Sequence, residues 1–238
     1  TSVMISNDGE NWAPYNTVGS NLSWNAITSA VPNTGTYDDK TLFVAVGSSG
    51  STDRVMTSSD GVTWTKQTSI TNSWKDITHG IPSDGSYNDT TVFVAVATDG
   101  TGNRVMTSND GITWTGRDTT NKDLEWCSIT SGVILDDEST DINKTIFVAV
   151  SNGSRSESPY DNINYVLTSL DAINWDLASV TQGSISICSG IPNTGLYANK
   201  TLFVALNYYG SVITSINGTT WEPATIQIND EWNKISSG

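Results

Sequence analysis

A ten-residue stretch recurs five times along the chain: VMISNDGENW from Val3, VMTSSDGVTW from Val55, VMTSNDGITW from Val105, VLTSLDAINW from Val166 and VITSINGTTW from Val212. Tandem copies of one short unit cannot each bury a private core, so they must stack on one another. Each copy reads as strand, tight turn, strand. Val55 to Ser58 are β-branched or extended-tolerant residues in a run too short for a helix. Asp60-Gly61 supplies the turn, because Gly accepts positive φ and a short Asp side chain bonds nearby amides. Ser58 can bond back into the same turn. Trp64 then lays a large ring across it. Asp8, Asp60, Asp110, Asp171 and Asn217 are therefore read as structural turn residues. In the fourth copy Ala172 stands where Gly stands elsewhere, and Ala disfavours positive φ, which predicts a different turn type there. Asn217 tolerates the left-handed region and should keep the turn.

Two more elements travel with the hairpin. One is an apolar run, LFVAVG from Leu42, VFVAVA from Val92, IFVAVS from Ile146 and LFVALN from Leu202. Such a run suits a strand covered on both faces. The other is Trp-x-x-Ile-x-x-Gly, seen at Trp74, Ile77 and Gly80 and again at Trp126, Ile129 and Gly132, with Trp24 and Ile27 in register and SISICSG in the fourth copy. The repeating order gives four antiparallel strands per unit. The hairpin tryptophans lie 52, 50, 61 and 46 residues apart, one four-stranded blade per repeat. The expected fold is all-β: a five-bladed β-propeller of four-stranded antiparallel blades, one domain over residues 1–238. The N- and C-terminal strands close the ring, Val3 to Trp12 lying outermost and Trp232 to Gly238 innermost in one shared blade. That blade has no apolar central strand in the sequence, an absence that trimming from a longer chain explains better than a gap, because a gap leaves backbone groups unpaired.

The hairpin pattern S-x-D-G-x-x-W resembles the Asp-box, or bacterial neuraminidase repeat, in a spelling one residue shorter. With its FVAV strands the repeat also resembles those of photosystem II stability and assembly factor-like propellers, and repeats in phage, giant-virus and bacterial surface proteins. The resemblance covers nearly the whole chain and implies a propeller. It implies little about activity, since Asp-boxes in sialidases lie away from the active site and recur in many non-enzymes. A sialidase would need an Arg cluster with a Tyr/Glu pair and an acid. Here Arg54 and Arg104 fall on one repeat position of separate blades, leaving Arg117 and Arg155. The single histidine, His79, takes a place where other copies have Ser, so a histidine triad or metal centre has nothing to build on. No catalytic residue, metal site or cofactor is expected.

The net charge of −14 opposes nucleic-acid binding. No apolar run approaches the ~18 residues of a membrane span, and Thr1 opens no signal-peptide pattern. Cys127 and Cys188 fall at repeat positions of opposite parity, which predicts two free thiols. Asp136, Asp137, Glu138 and Asp141 carry oxygens of the kind Ca²⁺ takes, but without recognisable loop spacing, and read as a solvated loop. The polar insertion from Asn152 to Asn164 reads as surface. The Asn-x-Ser/Thr triplets are no more frequent than the composition produces by chance.

Functional expectation rests on the loops VPNTGTYDDK from Val31, IPSDGSYNDT from Ile81 and IPNTGLYANK from Ile191. They read either as rigid turns whose Tyr packs on the neighbouring blade or as repeated surface pockets. In the second reading Tyr37, Tyr87 and Tyr197 are stacking platforms for sugar rings, with Asn33 and Asn193 beside them as hydrogen-bonding groups. The expectation is a non-enzymatic, lectin-like module with multivalent glycan sites. The alternative is a protein-binding or structural component of a virion or cell surface. Either partner, glycan or surface protein, places the chain outside the cell or on a virion.

Overall fold

The computed structural model describes residues 2–16, 18, 22–119, 122–135, 143–152, 164–207, 210–224 and 234–236. The fold is all-β, with five antiparallel sheets, one of two strands and four of four. The two-stranded sheet pairs β1 (Ser2–Ile5) with β2 (Ala13–Asn16). The first four-stranded sheet holds β3 (Trp24–Ala30), β4 (Leu42–Gly47), β5 (Val55–Ser58) and β6 (Thr65–Gln67). The second holds β7 (Trp74–Gly80), β8 (Val92–Ala97), β9 (Val105–Ser108) and β10 (Thr115–Arg117). The third holds β11 (Trp126–Leu135), β12 (Asn143–Ser151), β13 (Asn164–Ser169) and β14 (Asp176–Val180). The fourth holds β15 (Ser186–Gly190), β16 (Leu202–Leu206), β17 (Val212–Ser215) and β18 (Glu222–Pro223). Each is a plain meander: Trp-x-x-Ile strand at one edge, apolar strand and hairpin strand in the middle, short return strand at the other edge. This arrangement is compatible with a propeller. The only helix among the described residues is the single 3₁₀ turn Gly85–Tyr87.

The apolar strands are central for the reason their sequence suggests: β8 is buried at every residue. Sheets pack face to face through them. The core runs in clusters that join one sheet to the next: Leu42 and Val44 of the first sheet pack with Trp74, Phe93 and Met106 of the second. A Cβ on Gly80 would sit 2.9 Å from the Phe147 ring, and one on Gly132 2.7 Å from the Phe203 ring. The glycine that closes each Trp-x-x-Ile-x-x-Gly strand is therefore the flat seat of the next sheet's Phe.

The edge strands β3, β7, β11 and β15 join through side chains. Thr28 Oγ1 lies 3.1 Å from His79 Nδ1, Thr78 Oγ1 3.5 Å from Ser131 Oγ, and Thr130 Oγ1 3.1 Å from Ser189 Oγ. Ser131 Oγ donates to His79 O at 2.5 Å and Ser189 Oγ to Ser131 O at 2.6 Å. Ile129 N donates to Asp76 Oδ2 at 2.9 Å, Ile187 N to Ser128 Oγ at 3.3 Å, and Ile235 N to Ser186 Oγ at 3.2 Å. The last of these carries the pattern on to residues 234–236, the described part of the closing strand expected from Trp232 to Gly238. The acidic run at Asp136, Asp137, Glu138 and Asp141, and most of the insertion after Asn152, lie outside the described residues. Cys127 and Cys188 are both free thiols.

One expectation about a turn is overturned. Ala172 keeps the left-handed conformation of the glycines it replaces, φ +59° against +74° at Gly61 and +72° at Gly111. Two forces hold it there. Asp171 Oδ1 still accepts from Ile173 N and Asn174 N, both at 2.8 Å, and the Ala172 methyl is fully buried among core residues of the second and third sheets. Together these outweigh the ~1–2 kcal/mol that a left-handed alanine costs. Trp175 Nε1 is buried without a hydrogen-bond partner, whereas Trp12, Trp64, Trp114 and Trp221 each donate Nε1 to the carbonyl of the turn glycine.

Candidate functional site

Antiparallel meanders put alternate connections at opposite ends of the sheets, so the Pro-Gly-Tyr loops and the Asp-Gly turns share one end. Each turn is closed by its own side chains. In the first sheet Ser58 Oγ donates to Asp60 Oδ1 at 2.9 Å and accepts from Gly61 N at 2.8 Å, while Asp60 Oδ1 accepts from Val62 N and Thr63 N. Asp8 and Asp110 repeat the bonds, and Asn217 Oδ1 accepts from Thr219 N and Thr220 N in the same way. The backbone N–H groups that Asp60 accepts hold its carboxyl low, at about 2. Asp8 is lowered first by its bond from the Asn11 side chain. Replacing Asp110 by Ala orphans two amides and should cost about 1–3 kcal/mol, whereas Asp110→Asn should cost under about 1, because Asn217 already does this work. Urea unfolding of the two variants gives the comparison.

The loops are equally built in. Asp39 N donates to Pro32 O, Asp89 N to Pro82 O and Asn199 N to Pro192 O, at 2.8–2.9 Å, with all three donors left-handed. Asn33, offered by the sequence as a sugar-binding group, ties two sheets together. Its Nδ2 donates to Asp89 O at 2.6 Å and its Oδ1 accepts from Thr91 N at 3.0 Å. Tyr37 and Tyr87 are half-buried and pack on the core clusters. The Arg117 guanidinium lies 5.3 Å from the Tyr87 ring centroid and donates to its hydroxyl at 2.5 Å. Tyr197 is half-buried, with Asn193 exposed beside it. The first two loops lean on the next sheet's turn. A Cβ on Gly35 would meet Asp110 Cβ at 2.9 Å, and one on Gly85 would meet Asp171 Cβ at 2.9 Å.

What stands out on this end was not read from the sequence. One repeat position, held by Val31, Ile81, Val133 and Ile191, carries an aliphatic side chain 50, 51, 49 and 63% exposed; Val31, Ile81 and Ile191 open a loop, and Val133 lies within β11. Its backbone is pinned: Thr91 Oγ1 donates to Val31 O at 3.0 Å, Thr145 Oγ1 to Ile81 O at 2.6 Å, and Thr201 Oγ1 to Val133 O. Exposed Asp38, Asp39, Asp84 and Asp89 flank the first two. The signal was an aliphatic residue before Pro at Val31, Ile81 and Ile191, and seven residues after an edge-strand Trp at Val31, Ile81 and Val133, which reads as the end of a core strand until burial is known.

At the other end, Lys75, Asp76, Cys127, Ser128, Ile185, Ser186 and Lys234 line a small cleft of about 110 Å³. Burial raises the Asp76 carboxyl, and Lys234 acts on it across the cleft. Burial, with Asp76 nearby, pushes the Cys127 thiol up to about 12. Among the described residues, no cluster of His, Cys, Asp or Glu is placed to hold a metal, and no helix is long and apolar enough to cross a membrane. No protein-family model matches the chain, and no curated protein matches it.

His79 gives this architecture a pH dependence. Burial lowers its pKa, so the unfolded chain binds the proton first. Its contribution to stability is complete above about 6.5 and is lost as pH falls below that value. The turn carboxylates, lowered in the fold, act later, below about 4. Asp76, raised, works in the opposite sense. Tm should fall between pH 7 and pH 5, and His79→Ser, the residue of the equivalent strands, should flatten that part of the profile.

Proposed function

We propose that the chain is a non-catalytic binding platform: a five-bladed propeller whose fifth blade is shared by β1–β2 and the strand containing Ile235, and whose ligand is a protein. The side-chain ladder along the edge strands supports a common axis, as does the reach of Lys234, beside Ile235, to Asp76 in the second sheet. The protein-binding reading is carried by the four half-exposed aliphatics at one repeat position. Rigidly held apolar side chains spaced around one end, with exposed aspartates beside them, make a surface that gains by being covered. The charge of −14 favours a partner that is apolar at its centre and basic at its rim. A virion or cell surface is the setting we propose for it.

The experiment is affinity capture with the triple variant Val31→Asp, Ile81→Asp, Val133→Asp, whose side chains are already in water and whose Tm should hold. A stoichiometric partner that binds the parent and is lost at least tenfold by the variant supports the reading. A second reading, glycan recognition, is favoured by one loop: Tyr197 and Asn193 sit where Gly195 meets no atom within 4 Å of a Cβ. A reproducible glycan-array signal that weakens in Tyr197→Ala, with no effect of the triple variant, would replace the protein reading.

A further inference from the structure

The two residues that follow the Trp position of each edge strand are joints to the next edge strand. At the first of them, Asn25 Nδ2 donates to Trp74 O at 2.6 Å, and Cys127 Sγ to Ser184 O at 3.4 Å. At the second, Asp76 Oδ2 accepts from Ile129 N, Ser128 Oγ from Ile187 N and Ser186 Oγ from Ile235 N. Two lysines break this pattern. Lys75 stands at the first position, and among the described residues its ammonium has no hydrogen-bond or ion-pair partner. Lys234 stands at the second, where an ammonium has no lone pair with which to continue the ladder. Both line the cleft of about 110 Å³ with Asp76, Ser128 and Ser186. The carboxylate there is already engaged: Asp76 accepts from Ser128 Oγ, Ile129 N and Ile77 N at 2.8–2.9 Å. What remains is donors. Ser186 is 3% exposed, and its hydroxyl proton has no acceptor among the described residues.

We propose that this cleft binds a small monocarboxylate anion, held by Lys75 Nζ, Lys234 Nζ and the Ser186 hydroxyl. The cleft lies at the opposite end of the sheets from the half-exposed aliphatics, so the site is independent of the protein-binding reading. Two ammoniums beside one carboxylate leave the cleft a single positive charge, which a monoanion cancels. A dianion would bring an uncompensated negative charge beside Asp76, at a cost in desolvation. The two oxygens of a carboxylate accept charge-assisted bonds from the two ammoniums, and the serine adds a third donor. The volume admits about four or five heavy atoms, which fits a free acid of the size of acetate and not the end of a polypeptide. The charge of −14 repels a polyanion at long range, so only an ion small enough to enter the cleft meets the local positive field.

The whole protein is titrated calorimetrically with sodium acetate and, separately, with sodium phosphate, at one ionic strength set with sodium chloride. Acetate binding at one per chain, tighter than phosphate, supports the proposal. Lys75→Met together with Lys234→Met should weaken it by about tenfold or more. Lys40→Met, at an exposed lysine of the opposite end, should leave it unchanged. Asp76→Asn keeps an oxygen for Ile129 N and removes the one negative charge, so acetate should bind about threefold tighter or better. A second readout needs no variant: limited acylation of the parent's lysines, followed by mass spectrometry. High acetate should slow acylation of Lys75 and Lys234 by about fivefold and leave Lys40 as it was. Unchanged acylation of the two lysines overturns the proposal. So does acetate binding that the double variant retains, or a preference for phosphate.

Discussion

Truncating Phe147 to alanine should cost about 3–5 kcal/mol, the usual range for a fully buried Phe. The ring has no solvent exposure, lies 6.4 Å from Trp175 at a 51° tilt, and seats on Gly80 of the preceding sheet. Its loss opens a cavity at the joint between two sheets, where neither backbone can collapse inward. With a domain stability of about 5–15 kcal/mol, this one change removes a large share. Gly80→Ala should itself cost about 1–3 kcal/mol through overpacking. The double variant is the sharper measurement. Once the ring is gone, the added methyl has room, so the two costs should fall short of additive by more than about 1 kcal/mol in a urea-unfolding cycle. Additivity would mean that Phe147 and Gly80 do not share the joint.

The next largest effect belongs to Gly111→Ala, expected at about 2–4 kcal/mol. The residue has φ +72°, which costs an L-residue about 1–2 kcal/mol, and the new methyl would lie 2.6 Å from Leu42 Cδ2 and 3.3 Å from Val44 Cγ2. Gly9→Ala supplies the internal control. Its φ is +77°, yet its Cβ would meet nothing, so only the conformational part, about 1–2 kcal/mol, should appear. Equal losses at the two sites would show that backbone strain alone decides the cost of the turn.

The strand order, the sheet composition and the turn were legible in the sequence because each is a local object. The turn's bonds join residues two or three apart, so Ser58, Asp60 and Gly61 suffice to read it. What escaped depends on the neighbouring sheet. Nothing in VPNTGTYDDK says that Asn33 reaches Asp89, and nothing in IPSDGSYNDT says that Arg117 covers Tyr87, because those partners lie 56 and 30 residues away. Val31 and Ile81 look like core, since strand-end aliphatics usually are, and only the geometry of the next sheet decides that they face out. Ala172 was misread for a related reason: propensity weighs a residue against its own φ, while here a buried methyl and a fixed set of bonds prevail. The apolar face was beyond any single-repeat reading, because it is a comparison between copies.

The loops of the first two sheets rest on the turn of the sheet that follows, Gly35 on Asp110 and Gly85 on Asp171. These first three sheets overlap like tiles on a roof, laid in one direction. Damage should therefore run downhill: a loop lengthened in one tile lifts its successor and leaves its predecessor seated. Amide exchange after an insertion beside Gly85 should quicken in the third sheet while the first stays slow.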